Sequence, residues 1–171
     1  FDYENLWVVN YNNTYQTKST DSLNTFYDNL RQTIKSMPQV KEVSFCSDNV
    51  PLSQNQWTGE VHYKSASTGA DNYIADDNYK DAMNLHLLEG RWFNKADANA
   101  KDRSVIISDA LRDKLFGNEE ALGKMIGTED KKFDLRVIGV IQGVKAKGDY
   151  SPAREAIYRR TDTGSYHWLA K

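Results

Sequence analysis

The stretch from Leu88 to Val140 constrains the fold of this 171-residue chain more than any other. Val105-Ile106-Ile107 is apolar on both faces, the pattern of a strand buried on two sides. Ser108 stands where a helix N-cap belongs. Leu111, Leu115 and Phe116 supply the inner face of the helix it opens. Asp109 sits at that helix's positive end, Arg112 and Lys114 near its negative end. Gly117 provides a left-handed stop, and Glu119 to Met125 reads as one further turn, with Gly123 and Gly127 releasing the chain. Phe133, Leu135 and Val137 then alternate with Asp134 and Arg136, and from Val137 to Ile141 both faces turn apolar. Gly139 inside that strand marks a bulge or a close backbone approach. Strand, cap, helix, stop, turn, strand is one packed unit, and no residue in it looks like a catalyst.

The flanking sequence is read from periodicity. Leu6 to Val9 is a first expected strand. Leu23, Phe26, Tyr27, Leu30, Ile34 and Met37 form one apolar stripe, which predicts a helix from about Asp21 to Met37, capped by Thr20 or Asp21 and ended by Pro38. Val40, Val43 and Phe45 suggest a second strand, so the chain opens strand, helix, strand. Glu60–Lys64 and Asn72–Ala75 are further expected strands, joined by the small polar stretch Ser65–Asp71. Asp76 or Asp77 is placed to cap a short helix bearing Tyr79, Ala82 and Met83. Leu85 to Leu88 is too brief to assign. Ala156–Arg159 and Tyr166–Ala170 are the last expected strands.

Composition narrows the function. Twenty-two Lys and Arg against 24 Asp and Glu leave a formal net charge of -2, which gives no footprint for nucleic acid or anionic lipid. No apolar run is long enough to span a membrane. Cys46 is the one cysteine, so no internal disulfide forms.

Reactive constellations are weak. His62, His86 and His167 are scattered, while a zinc site needs three or four converging ligands. Cys46 has no identifiable activating cation, which favours an inert buried thiol. The pairs Asp76-Asp77, Glu119-Glu120 and Glu129-Asp130 are sequence neighbours, and neighbours in a helix or strand point apart. Gly139 to Gly143 and Gly123 to Gly127 lack the order of a phosphate loop. No catalytic residue, metal or cofactor is therefore expected. Trp57, Tyr63, Tyr73 and Tyr150 lie in loop-rich or alternating polar surroundings, and Trp57, Tyr63 and Tyr150 are the candidates for a partner-facing surface.

These motifs resemble the periplasmic core domain of MacB/FtsX-type ABC transporter permeases. Leu88-Glu89-Gly90-Arg91-Trp92-Phe93 with Asp97 is similar to the family's GR-x-F…D signature. Tyr73–Tyr79 resembles its turn-helix segment, Val105–Gly117 its strand and L-F-G helix, Leu122-Gly123-Lys124 its turn, and Phe133 with Val137-Ile138-Gly139-Val140 its closing strand. Gly90, Arg91, Phe93, Asp97, Gly117, Gly123 and Gly139 are the motif residues carried over. The resemblance implies an α+β fold of two lobes: a porter-like βαβ lobe from residues 1–52 and 149–171, with its C-terminal part trimmed, and a smaller mixed α/β, sabre-like insert at 53–148. It places Phe1 just after a membrane helix. No long glycine-rich loop follows Val144, where some members carry one, so no tunnel-forming role is carried over.

The resemblance further implies a domain on the periplasmic side of the bacterial inner membrane, without chemistry of its own. Such a domain transmits conformational change and contacts a partner or cargo in efflux or lipoprotein-release transport. The implied partners are membrane helices of the same permease, a cytoplasmic ATPase domain or subunit, and a periplasmic protein or cargo. The isolated domain is expected to be monomeric. The competing reading is a soluble periplasmic carbohydrate- or peptide-binding module that uses the exposed aromatics.

Overall fold

The computed structural model describes residues 5–8, 20–47, 49–51, 56–129, 133–148 and 150–161. Its elements are α1 (Thr20–Lys35), β1 (Thr58–Tyr63), β2 (Ala66–Ala75), α2 (Tyr79–Ala82), β3 (Leu87–Gly90), a 3-10 turn (Lys95–Asn99), β4 (Arg103–Ser108), α3 (Asp109–Phe116), β5 (Met125–Thr128), β6 (Leu135–Ile141) and β7 (Ala156–Arg160). The strands form one sheet in the order β3-β6-β4-β7-β2-β1-β5, and β5 also pairs with β6. That last pairing closes six strands into a barrel and leaves β3 outside the ring. The β2–β7 and β4–β6 pairs are parallel, and the others are antiparallel.

The domain is mixed α/β, as expected, but the sequence did not suggest ring closure. β7 comes from the segment that the resemblance assigns to the porter-like lobe, yet it is hydrogen-bonded between β2 and β4.

Two cores back the sheet. The first gathers Val61, Tyr63, Ala70, Val105, Ile107, Leu135, Val137, Val140 and Ile157 from the strands with Leu111, Leu115 and Phe116 from α3. The second lies on the opposite face, where Tyr73, Ala75, Ile106, Ile141 and Tyr158 meet Tyr79, Met83, Trp92 and Phe93. β4 feeds both, with Val105 and Ile107 on one side and Ile106 on the other, as period-2 alternation requires. Its apolar run is therefore a buried strand, as read.

α3 also follows the reading. The Ser108 side chain accepts from the Leu111 amide, and Gly117 ends the helix at φ 56°. Ser108 Oγ also accepts from the Ala156 amide at 2.9 Å and donates to the Arg154 carbonyl at 3.2 Å. The helix cap thereby anchors the start of β7.

Several expectations are corrected. Leu6, Trp7 and Val8 form no strand, and Val9 lies outside the described residues. The expected strand over Val40–Phe45 reduces to an isolated bridge between Cys46 and Ala75. The cause lies in β1, whose pairing with β2 ends at Thr58–Asp71. The far end of β2 thus has an open edge, and the short segment at Phe45–Ser47 fills it: Ser47 N donates to Ile74 O and Asp76 N to Phe45 O. The polar stretch Ala66–Asp71 is strand, not linker, because β1 pairs along its whole length. Lys64 at φ 53° turns the hairpin. Asn78, not Asp76 or Asp77, occupies the N-cap of α2, and its side chain makes no cap bond. β6 starts at Leu135, which leaves Phe133 exposed. The expected strand Tyr166–Ala170, with His167, lies outside the described residues.

Candidate functional site

The motif glycines meet along one edge of β6. Gly90 pairs with Gly139 across β3 and β6. A Cβ on Gly139 would sit 2.4 Å from the Arg91 carbonyl oxygen, and one on Gly90 (φ +70°) 2.3 Å from the Ile138 carbonyl oxygen. Both backbones approach closer than any side chain allows. Both readings of Gly139 hold, because the β4–β6 register also shifts there. The bulge inverts the alternation: Leu135, Val137 and Val140 all reach the first core, an odd-to-even switch only an extra residue permits.

One side of β6 is shared by two strands in succession. β5 pairs with Leu135 and Arg136. Next the Gly123 amide donates to Val137 O and the Val137 amide to Lys124 O. Beyond the bulge Arg91 N donates to Ile138 O, and β3 runs on to Ile141. Gly123, at φ +76°, lets the chain turn onto this edge. The glycine pattern thus encodes a handover between two strands on a single edge.

Arg91 and Asp97 brace the handover from outside. The guanidinium binds the carboxylate through two bonds of 2.7 and 2.8 Å. Asp97 also accepts from Ser104 Oγ at 2.7 Å and from the Asn94 amide at 2.9 Å, and Asn94 and Asp97 form a capping box on the 3-10 turn. The Asp97 side chain is 2% exposed, that of Arg91 48%. The Arg91 guanidinium, helped by Ser104 and the Asn94 amide, holds the Asp97 carboxyl down to about 2 against the opposing pull of burial. Between them Trp92 and Phe93 plunge into the second core. Of the seven motif residues, Gly117 alone stands apart, at the end of α3.

A second polar node was not legible in the sequence. Asp76 is buried at the end of β2. Its Oδ2 accepts from Arg31 Nη2 at 2.6 Å and the Phe45 amide at 2.9 Å, and its Oδ1 from Ser44 Oγ at 2.7 Å and the Asn78 amide at 3.0 Å. Arg31 also donates to Val43 O at 3.3 Å and lies over the Phe45 ring. Neighbouring Asp77 turns the other way, onto Arg160 through bonds of 2.8 and 3.0 Å. The pair therefore serves two separate ion pairs and shares no proton. Asp76 bonds Arg31 across 45 positions, and no local pattern announces such a partner.

The partner-facing candidates divide. Trp57 and Tyr150 are exposed, Tyr150 fully. Tyr63 belongs to the first core, with its ring 4.3 Å from that of Phe116 and its hydroxyl donating to Glu119 at 3.2 Å; the strand's alternation turns it inward. Cys46 is half-buried beside the second core. Among the described residues no cluster of His, Cys, Asp and Glu could hold a metal ion, and no helix is long and apolar enough to cross a membrane.

Comparison with known proteins agrees with these motifs. The model of the MacB-like periplasmic core domain matches residues 1–168. The uncharacterized ABC transporter permease YvrN of Bacillus subtilis is 36% identical over 84 residues, 46% of this chain and 20% of the relative. The macrolide export ATP-binding/permease protein MacB of Neisseria gonorrhoeae is 29% identical over 110 residues, 64% of this chain and 16% of the relative. The chain thus spans a fifth or less of these relatives. The extracellular domain of the ABC-type transporter YknZ from Gram-positive bacteria superposes with a TM-score of 0.55 at 22% identity, covering 75% of this chain and 59% of that one. The periplasmic region of MacB from Actinobacillus actinomycetemcomitans gives 0.54 at 22%, covering 76% and 52%. At that identity the structural likeness speaks for the fold.

Proposed function

Because the chain belongs to the family of MacB-like periplasmic core domains, and is thus a periplasmic domain of a MacB-like ABC permease, we propose that it works as a rigid relay. It moves as a body when nucleotide is bound and hydrolysed on a cytoplasmic ATPase domain or subunit, and it meets a partner or cargo in efflux or lipoprotein-release transport. It makes and breaks no bonds. The observation that carries this reading is the family match over residues 1–168. The ring of strands supports it mechanically, since a closed sheet with cores on both faces resists shear and passes displacement on intact.

The lobe division, 1–52 with 149–171 against 53–148, is part of the proposal, with the proviso that β7 is shared with the insert's sheet. Monomeric behaviour of the isolated domain is part of it too, and sedimentation at micromolar concentration checks this: a tight dimer would contradict it. Trp57 and Tyr150 are the proposed contact residues, being exposed aromatics outside both cores.

The test uses the full-length transporter in proteoliposomes, with a distance probe between this domain and the cytoplasmic side. The relay predicts a distance that changes with ATP and is restored after hydrolysis, while probes within the barrel stay fixed. A distance indifferent to nucleotide would refute it. Tight binding of a glycan or peptide by the isolated domain would favour a binding module instead.

A further inference from the structure

α1 is attached to the rest of the domain in an unusual way. No described side chain of α1 belongs to either core. Tyr27 alone among its described side chains is fully buried, and its ring packs edge-on against Phe45 at 5.4 Å. Phe45 in turn is held to the sheet through its amide by Asp76 and through its carbonyl by the Asp76 amide. Arg31 reaches the same carboxylate directly. The helix, the 43–47 segment, the end of β2 and the start of α2 therefore converge on two oxygen atoms.

We propose that Asp76 is a latch: its carboxylate docks α1 and the 43–47 segment onto the end of the sheet, and its release frees α1 while the barrel stays closed. Cooperative units of a protein open separately when few buried contacts join them. Here the joint is one aromatic pair and a local polar cluster, whereas the ring depends on apolar burial and ladders in which the described residues of α1 take no part. A carboxylate with four bonds holds firmly, yet weakens at all four once its charge is removed, and loses its strongest bond once its main cation is. The latch would operate in this chain whatever larger protein carries it. Within a permease, motion delivered to α1 would reach the sheet through Asp76.

Hydrogen exchange followed by mass spectrometry on the 171-residue chain tests this. In Asp76→Asn, amides of α1 and of Phe45 should exchange about tenfold to a hundredfold faster, the loss expected for charge-assisted bonds. Amides of β4 and β6 should keep their native rates. Arg31→Gln guards against outright misfolding, since it leaves the Ser44, Phe45 and Asn78 bonds in place; it should accelerate α1 in the same direction. The double variant should exchange no faster in α1 than Asp76→Asn alone. An α1 unmoved in both single variants would overturn the latch. So would β4 and β6 losing protection by the same factor as α1 in Arg31→Gln, because helix and barrel would then open as one unit.

Discussion

Replacing Gly139 with Ala attacks the handover on β6 at its tightest point. The new Cβ would lie 2.4 Å from Arg91 O and 3.3 Å from Arg91 C, both backbone atoms that no rotamer change can move. Restoring ordinary contact requires a displacement of about 1 Å between the end of β3 and β6, more than a packed interior yields cheaply. That displacement stretches the 3.0 Å bond from Arg91 N to Ile138 O beyond useful length. Overpacking costs about 1–3 kcal/mol, and the lost backbone bond about 1 kcal/mol. The stiffer unfolded chain returns about 0.4–1 kcal/mol. The net loss is about 1–4 kcal/mol, which lowers the melting temperature of a chain this size by roughly 2–15 °C. Urea denaturation should show a lower midpoint at unchanged slope. Gly69→Ala is the control, since its Cβ would meet nothing nearer than Thr58 Cγ2 at 3.5 Å. Gly139→Ala within about 0.5 kcal/mol of wild type, or no worse than Gly69→Ala, would refute the close-approach reasoning.

Other perturbations read other parts of the structure. The Asp97 carboxyl titrates at about 2 in the folded chain, below its unfolded value, so its contribution is complete above about pH 4 and fades as pH falls through 2. Asp97→Asn should lose about 1–2 kcal/mol at pH 7, discounted because Arg91 is half exposed, and the gap to wild type should narrow in denaturation curves taken from pH 4 down. The Tyr79 hydroxyl is buried without a hydrogen-bond partner among the described residues, so Tyr79→Phe should raise stability by about 1 kcal/mol, read as a higher urea midpoint. Tyr63→Ala should cost about 3–5 kcal/mol by opening the first core. Trp57→Ala and Tyr150→Ala should stay within about 0.5 kcal/mol in the same assay, and should reduce transport in the full-length protein if these residues meet a partner.

What the sequence disclosed was what is local. Val105–Ile107, Ser108 and Gly117 each carry their instruction within one element, so strand, cap and stop were read correctly. Gly139 announced a close approach because a glycine in an apolar strand has few other reasons to be there. Gly90 belongs to the family motif, but its opposition to Gly139 follows from how β3 pairs with β6, which no local pattern fixes. Tyr63 reads as partner-facing because polar Glu60, His62 and Lys64 surround it, while strand alternation points it inward. The short strand at Met125–Thr128 was invisible: four residues have no period, and it exists because Arg136, Leu135, Val61 and His62 offer it backbone partners. Asp76 was legible only as a capping residue. Its true partners come from Arg31, Ser44 and Phe45, and no periodicity links them.

β7 sits between β4 and β2, two strands that have no direct ladder with each other. A nascent polypeptide that has emerged only as far as the end of β6 therefore holds a gapped sheet, with unpaired amides on two inner strands. The ring shuts only when Ala156–Arg160 arrives, well after β2 and β4 have emerged. Such late, sequence-distant pairing slows folding and leaves sticky edges bare in the meantime. Whatever escorts this polypeptide through export has to shield those edges until β7 slides home.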